Sequence, residues 1–199
     1  AASDVYKRQD ILNRAANLLL DVELGPDRRV AVFAENSAET AFAHLGGLLG
    51  GVSTVPVNFH LTAEEAAYIL SDSASRIVFA GPETLERAVQ AADSAGVGTV
   101  VACGRALPVG VTRWSDWLED GRIDDPPADT RPRPNLLYTS GTTGLPKGVM
   151  HSHDTVLWMT FTMSATSDMR YKDRFLNSLP LFHVGALAPV IGSIYAGAT

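Results

Sequence analysis

The residues best suited to chemistry lie in one stretch, YTSGTTGLPKG, at positions 138–148. This stretch combines short hydroxyl side chains with three glycines and one lysine, Lys147. Glycines let backbone N–H groups approach a ligand closely and adopt positive φ angles, and successive N–H groups form a concave site for anions. A simple turn needs only two or three such residues and no lysine. The composition therefore predicts a loop that binds a polyphosphate.

Two common phosphate-binding patterns do not fit the chain. The pattern G-x-x-x-x-G-K-[S/T] needs a glycine where Pro146 stands and a hydroxyl where Gly148 stands. The dinucleotide pattern G-x-G-x-x-G fails in GVGTVV, residues 96–101, which ends in valine. Neither a P-loop NTPase nor a dinucleotide-dependent oxidoreductase is indicated.

Composition narrows the classes of partner and location. The net charge is −6, and the 16 lysines and arginines are scattered, so nucleic acid is not an expected partner. Cys103 is the single cysteine, which excludes an intramolecular disulfide and predicts a buried thiol in a reducing, cytoplasmic setting. The N-terminus lacks the pattern of a secretory signal. The uncharged segment 175–199 is interrupted by prolines and polar residues, which favours a buried helix over a membrane span.

Hydrophobic periodicity predicts helices alternating with short strands. Capping-box pairs, Asn36 with Glu39 and Thr62 with Glu65, mark two of the helix starts. Such an alternation predicts an α/β fold with a mostly parallel sheet and helices on both faces. The predicted helices cover 11–24, 36–50, 61–73 and 82–95, and the predicted strands cover 29–34, 52–57, 76–80 and 99–103.

The second half of the chain begins with a proline-rich stretch, residues 121–135, which predicts an exposed connection. Strands are then expected at 135–140, 147–152 and 174–180, with a helix from about Asp154 and a final apolar helix. The helical positions of the three tryptophans predict packing roles for Trp114, Trp117 and Trp158.

YTSGTTGLPKG resembles the signature loop of the adenylate-forming superfamily, which includes acyl- and aryl-CoA synthetases, luciferases and peptide-synthetase adenylation domains. Residues 25–73 resemble the family's N-terminal region, and LPLFHVGAL at 179–187 resembles its next motif. The resemblance implies a partial N-terminal AMP-binding domain, layered αβαβα when complete. It also implies the cofactors and substrates ATP, Mg²⁺, coenzyme A and a small-molecule carboxylic acid.

The family's reaction assigns roles to the loop. A carboxylate attacks the α-phosphate of Mg-ATP to give an acyl-adenylate and pyrophosphate, and a thiol, usually of coenzyme A, then takes the acyl group. Lys147 and Thr143 are the expected catalytic residues, with Lys147 neutralising the departing pyrophosphate, and no protein metal site is expected. By resemblance, six residues cradle the β- and γ-phosphates: Thr139, Ser140, Gly141, Thr142, Thr143 and Gly144.

Phe182 and His183 are the expected substrate-pocket residues. Peptide-synthetase adenylation domains usually carry an aspartate after the aromatic residue of this motif, and it pairs with the α-amino group of the substrate. His183 stands there instead, and an unpaired, desolvated ammonium group is costly. A plain fatty or aryl acid is therefore expected. The alternative for His183 is a hydrogen-bonded core histidine.

His151 and His153 raise the question of a metal site, because HSH would place both on one face of a strand. No third ligand of matching spacing is visible, and zinc sites use three or four. Polar or loop-packing roles are predicted instead.

Both ends of the chain favour a fragment. Residues 1–9 are set aside because DVYKRQ can be back-translated into a transposon end used for sequencing libraries. Residues 10–199 then form an incomplete AMP-binding domain without its C-terminal domain, and are predicted to be inactive alone. A peptide-synthetase-like domain that loads a carrier protein and a non-catalytic, truncated nucleotide-binding protein are the alternatives. The oligomeric state stays open.

Overall fold

A single parallel sheet organises the first two thirds of the protein. The structure, a computed structural model, describes residues 2–127, 135–139 and 144–198. The sheet has five strands in the order β2-β1-β3-β4-β5, and every neighbouring pair is parallel. The strands are β1 Arg29–Phe33, β2 Ser53–Pro56, β3 Ile77–Ala80, β4 Thr99–Ala102 and β5 Val111–Arg113. The predicted α/β class and parallel sheet are confirmed.

Helices cover both faces of this sheet, as predicted. They are α1 Ala2–Asp21, α2 Ala38–Leu49, α3 Ala63–Asp72, α4 Leu85–Ala95 and α5 Trp114–Glu119. Ala31 and Phe33 of β1 join the core under α3 and α4, whereas Val30 and Val32 join the core under α1, α2 and α5. Successive side chains of a strand point to opposite faces, so one short apolar strand serves both cores.

Of the two predicted capping boxes, the one at α3 is present and the one at α2 is not. Thr62 and Glu65 form the predicted capping box at α3. At α2 the predicted pair of Asn36 and Glu39 is wrong, because Ser37 is the N-cap and its hydroxyl accepts the Thr40 N–H at 3.0 Å. The carboxamide of Asn36 is used in a different contact, described below.

A two-stranded antiparallel hairpin follows the sheet. It consists of β6 Asn135–Thr139 and β7 Lys147–His151. Leu136 of β6 is buried in the core under α3 and α4, which fixes the hairpin to the first sheet. Helices α6 His153–Thr166 and α7 Val184–Ala196 come next and pack against each other where Gly192 faces Ser164 and Thr160.

The strand predicted at 174–180 is wrong. These residues are described throughout and adopt neither helix nor strand. Their sequence carries asparagine, serine and proline among the apolar residues, and the backbone near its end bonds to a side chain of the first half of the chain. A strand cannot be recognised from an apolar run alone when no neighbouring strand is available to pair with it.

The tryptophans divide into two groups. Trp114 and Trp117 of α5 pack edge-on against Phe79, with ring centroids 5.6 and 5.1 Å away, so their packing role is confirmed. Trp158 is 70% exposed on α6, and its predicted packing role is wrong. Its ring contacts Phe161 on the same exposed face of α6. No helix among the described residues is long and apolar enough to cross a membrane.

Residues 121–127, the described start of the proline-rich connection, run along α1. The side chains of Asn13, Arg14 and Asn17 donate hydrogen bonds to backbone carbonyls between Leu118 and Asp124. Most side chains of 121–127 are nevertheless exposed. Residues 121–127 are therefore held through backbone hydrogen bonds rather than by a core of their own.

Candidate functional site

The candidate phosphate-binding loop is held between the two strands of the hairpin. Thr139 at the end of β6 is paired with Lys147 at the start of β7, and the Thr139 hydroxyl donates to the Lys147 carbonyl at 3.4 Å. Both side chains are exposed. The loop therefore leaves and returns at adjacent positions, with Lys147 at its base. Four of the predicted phosphate-binding residues lie outside the described residues: Ser140, Gly141, Thr142 and Thr143.

The two described glycines of the loop region, Gly144 and Gly148, have different surroundings. Gly148 does not have a positive φ angle, so that part of the prediction is wrong for Gly148. A Cβ added at Gly148 would lie 2.8 Å from Cδ1 of Leu136 on the neighbouring strand. A Cβ added at Gly144 would meet nothing within 4 Å. Gly148 serves close strand packing, whereas Gly144 borders open space.

Helix α3 contacts both arms of the hairpin. The Tyr138 hydroxyl donates to Oδ2 of Asp72 at 2.5 Å, and the Tyr68 hydroxyl donates to the Pro146 carbonyl at 3.2 Å. Burial, followed by the hydrogen bond to Asp72, raises the pKa of Tyr138 well above its usual value. Sequence reasoning missed these partners, although Tyr68 and Asp72 lie four residues apart on a predicted helix and so share one face.

The second motif is fixed by Asn36. Its side-chain Nδ2 donates to the Leu179 carbonyl at 2.8 Å, and its Oδ1 accepts the Leu181 N–H at 2.7 Å. Phe182, which follows, packs edge-on against Phe59 with ring centroids 5.2 Å apart. The motif is thereby attached to the carboxyl end of β1.

His183 is exposed and precedes the first residue of α7 as its N-cap. Its backbone N–H donates to the Pro180 carbonyl, and its ring lies 4.1 Å from the Phe182 ring, centroid to centroid. The alternative of a hydrogen-bonded core histidine is therefore wrong. Within the described ranges no hydrogen bond, ion pair or ring contact joins Lys147 to Phe182 or His183, so the structure does not bring the two predicted groups into direct contact.

His151 and His153 do not share a strand face. Strand β7 ends at His151, Ser152 caps α6 by accepting the Thr155 N–H at 3.1 Å, and His153 opens the helix. Burial lowers the pKa of His153 below its ordinary value. The residues that the structure describes contain no group of three or more histidine, cysteine, aspartate or glutamate side chains placed to hold a metal ion.

A cavity of about 310 Å³ opens at the carboxyl ends of β1, β3 and β4. It lies where the strand order reverses, since β2 and β3 flank β1 on opposite sides, and such switch points often form crevices in open α/β sheets. Cys103 lines the cavity and is half-buried rather than buried, which corrects the prediction. Burial, with the nearby carboxylates of Glu39 and Glu83, raises the pKa of the Cys103 thiol to about 11. The thiol is therefore protonated at neutral pH and is not an activated nucleophile.

Lys147 and its surroundings at the base of the hairpin are exposed. Lys147 forms no ion pair with any carboxylate in the described part of the chain. No atom of the described residues lies within 4 Å of a Cβ built at Gly144. The Thr139 hydroxyl lies at the same edge, where its one O–H donates to the Lys147 carbonyl.

The chain belongs to the AMP-binding enzyme family, whose sequence model matches residues 7–199. It is 36% identical over 197 residues to the long-chain-fatty-acid–CoA ligase FadD13 of Mycobacterium tuberculosis, a match that covers 95% of this chain and 37% of the relative. It is also 30% identical to a 4-hydroxybenzoate–CoA/benzoate–CoA ligase of Rhodopseudomonas palustris, covering 87% of this chain and 33% of that one. The chain thus spans about a third of the length of these curated relatives.

Solved structures agree with this family. The N-terminal domain of FACL13 from Mycobacterium tuberculosis superimposes with a TM-score of 0.80 at 33% identity, covering 97% of this chain and 48% of that chain. A benzoate CoA ligase from Burkholderia xenovorans gives 0.83 at 22% identity, covering 96% of this chain and 38% of that chain, which supports the fold alone. The expected α/β fold of the N-terminal domain of adenylate-forming enzymes is confirmed.

Proposed function

We propose that a full-length protein containing this chain uses ATP to activate a carboxylic acid as an acyl-adenylate and then transfers the acyl group to coenzyme A. The observation that carries this proposal is the pairing of Thr139 with Lys147 at the base of the YTSGTTGLPKG loop. The pairing sets one exposed cation, which pairs with no carboxylate of the described residues, beside a hydroxyl- and glycine-rich loop. Family membership supplies the reaction class.

The chain's own contribution is to position and neutralise the phosphates. Transfer at phosphorus places little covalent chemistry on the protein, so catalysis depends on orientation and on charge stabilisation. Lys147 is placed to offset the negative charge that builds up as pyrophosphate departs. Thr139, together with the hydroxyls and N–H groups of residues 140–144, orients the β- and γ-phosphates. Thr143 is assigned to the same phosphates as a catalytic donor.

Mg²⁺ belongs to this proposal as the companion of ATP, because magnesium in phosphoryl-transfer sites is bound by one or two carboxylates together with phosphate oxygens and water. A cytoplasmic location, where ATP and coenzyme A are available, completes the proposal.

The acid is proposed to be a fatty or aryl acid without an α-amino group. Phe182 and His183 occupy the motif position at which an ammonium-binding carboxylate would be needed, and Phe59 adds a second aromatic ring beside Phe182. An aromatic wall favours an apolar acyl group. The names of the two curated relatives, a long-chain-fatty-acid ligase and a benzoate ligase, support both kinds of acid.

The acyl acceptor has a second candidate. A fatty acid–[acyl-carrier-protein] ligase, ScoC of Streptomyces coeruleorubidus, is 34% identical over 194 residues, covering 94% of this chain and 36% of that one. A carrier-protein thiol is therefore the alternative to coenzyme A, whether in a fatty-acid ligase or in a peptide-synthetase-like domain. A non-catalytic, nucleotide-binding protein is the third possibility.

Product analysis separates these candidates. The full-length protein is incubated with ATP, Mg²⁺ and fatty, aryl and amino acids, with either coenzyme A or a phosphopantetheinylated carrier protein, and thioesters are measured by mass spectrometry. We expect acyl-CoA from a fatty or aryl acid together with stoichiometric AMP. Thioester on the carrier alone would favour the second candidate, and no AMP with any acid would favour the third.

A further inference from the structure

We propose that Tyr68, Asp72 and Tyr138 are positioning residues that hold both ends of the phosphate-binding loop on helix α3. They thereby fix Lys147 relative to the phosphates. This inference rests on the proposed function and extends it to residues outside the loop. The two tyrosine hydrogen bonds described above, one to each arm of the hairpin, are its basis.

The two contacts are placed at corresponding points of the loop. Tyr138 immediately precedes Thr139, the last residue of β6, and Pro146 immediately precedes Lys147, the first residue of β7. A displacement of either contact therefore moves one of the two residues that close the loop. Thr139 and Lys147 are themselves paired. The two tyrosine hydrogen bonds to α3 and the Thr139–Lys147 pair therefore form one closed frame around the loop base.

Helix α3 is a firm support for this frame. Its first turn is closed by the capping box of Thr62 and Glu65, and Ala66, Ile69 and Leu70 are buried in the core. Tyr68 and Asp72 are one helical turn apart and face the hairpin from the same side. The hydrogen bonds thus attach the loop to a part of the molecule that cannot shift without disturbing its core.

Strand β7 has little else to hold it. Residues 147–150 are all exposed, and their regular partners in the described sheet are those of β6 alone. Two-stranded hairpins are only marginally stable by themselves. The hydroxyl of Tyr68 on the Pro146 carbonyl is therefore an important restraint on the position of Lys147.

The chemistry of the tyrosines allows a clean test. The Tyr138 ring packs against the core under α3 and α4, so Tyr138→Phe keeps that packing and removes only the hydroxyl. The same holds for Tyr68→Phe. Asp72→Ala removes the acceptor, whereas Asp72→Asn keeps an oxygen that can accept the Tyr138 hydroxyl. Tyr195→Phe, at an exposed position of α7, is the matched control, because its hydroxyl makes no hydrogen bond with any described residue.

The experiment uses the full-length protein and three readouts: the single-turnover rate of adenylation, KM for the carboxylic acid, and hydrogen–deuterium exchange of residues 139–147. We expect Tyr68→Phe, Tyr138→Phe and Asp72→Ala each to slow adenylation about three- to tenfold, the effect of one lost hydrogen bond. KM for the acid should stay within about twofold, exchange should accelerate within 139–147 alone, and Asp72→Asn should restore the rate. The Tyr138→Phe/Asp72→Ala double variant should be no slower than either single variant, since the two share one contact.

Other results would overturn the inference. Unchanged exchange in 139–147, an unchanged adenylation rate, additive losses in the double variant, or exchange that accelerates throughout the domain would each do so. If the unmodified full-length protein forms no acyl-adenylate, the proposed function fails by itself. Faster exchange confined to 139–147 would then still support the frame around the loop, and unchanged exchange would refute it.

Discussion

Asn36 holds the backbone on both sides of Pro180: its carboxamide accepts the N–H of Leu181 at 2.7 Å and donates to the Leu179 carbonyl at 2.8 Å. The side chain that sequence analysis placed in a capping box thus joins the carboxyl end of β1 to the motif before α7. Ser37 could take over the cap, because a serine hydroxyl serves that purpose equally well. Asn36 is therefore free to position the segment that leads to Phe182.

Removal of this contact should affect acid binding more than the rest of the reaction. We expect Asn36→Ala to cost about 1–2 kcal/mol of unfolding free energy, since two hydrogen bonds are lost. It should also raise KM for the carboxylic acid through displacement of Phe182. Asn36→Asp keeps the acceptor for Leu181 but sets a carboxylate against the Leu179 carbonyl, and should be at least as harmful. Urea denaturation and steady-state kinetics of the full-length protein measure both effects, and equal behaviour of all three proteins would exclude the role.

Lys147 should act on the phosphates and not on the acid. In the full-length protein, Lys147→Ala is expected to slow adenylation by about 100-fold, the usual effect of removing one charged or oxyanion-stabilising donor. The dissociation constant for the carboxylic acid should change little. Rapid-quench single-turnover measurements give the rate, and Lys172→Ala, at an exposed lysine beside Tyr171, is the matched control. An unchanged adenylation rate would remove Lys147 from the mechanism.

The two described loop glycines should respond differently to alanine. At Gly148 the added Cβ would approach Leu136 to 2.8 Å, so Gly148→Ala should destabilise the domain by about 1–3 kcal/mol. At Gly144 the Cβ has open space, and Gly144→Ala should leave thermal stability unchanged while raising KM for ATP if phosphate approaches its backbone. Thermal melts and ATP kinetics of both variants provide the comparison. A stability loss at Gly144 as large as at Gly148 would contradict the packing described here.

His44 should make the domain sensitive to acid. It is buried, its Nδ1 lies 3.1 Å from the Thr54 hydroxyl, and burial lowers its pKa from 6.5 to about 4. Because the folded pKa is depressed, the neutral form is favoured by folding. This stability is fully present above pH 6.5 and is lost as pH falls toward 4, by about 3 kcal/mol in total.

The contribution of His44 is isolated by comparing how the stability of the unmodified chain and of a variant without His44 changes with pH. Urea denaturation of the chain and of His44→Gln between pH 7.5 and 4 should show a steeper loss for the unmodified chain, with exposed His60→Gln as the control. Other acidic groups titrate in both proteins and cancel in the comparison. Parallel curves for the chain and His44→Gln would show that His44 is not held neutral by burial.

The present chain by itself is predicted to be inactive. The resemblance assigns the adenine and ribose contacts, and a late catalytic lysine, to motifs that its 199 residues do not contain. We expect no acyl-adenylate from the isolated chain with ATP and any fatty or aryl acid. Hydroxylamine trapping with mass spectrometry checks this, and a detectable hydroxamate would show the prediction wrong.

The sequence predicted those parts of the fold that depend on local patterns. The parallel sheet and α3 with its capping box follow from apolar periodicity and from Thr62 and Glu65. The short strand β5 was not predicted, and α5 was indicated only by the helical positions of Trp114 and Trp117, because three and six residues give too little periodicity to recognise. Neither the contacts of Asn36 nor those of Tyr68 could be predicted, since both join residues more than seventy positions apart.

The candidate site shows the same division. The composition of the loop and Lys147 were evident from the sequence, as was the motif with Phe182 and His183. The hydrogen bonds that join the loop to α3 were not evident from the sequence, because a tyrosine hydroxyl and an aspartate on separate elements carry no shared local pattern. Ser152 caps α6, so the strand ends at His151 and the helix begins at His153. An interpretation of HSH as a continuous strand overlooks this cap.

Carboxylate-dependent exchange of pyrophosphate into ATP is the measurement that tests the central claim most directly. It reports reversible formation of an acyl-adenylate and requires no thiol, so it does not depend on which acceptor is used. The full-length protein containing this chain is predicted to catalyse exchange with a fatty or aryl acid and to show none without an acid. Exchange that is absent with every acid, or present without one, would contradict the assignment of this chain to acid activation.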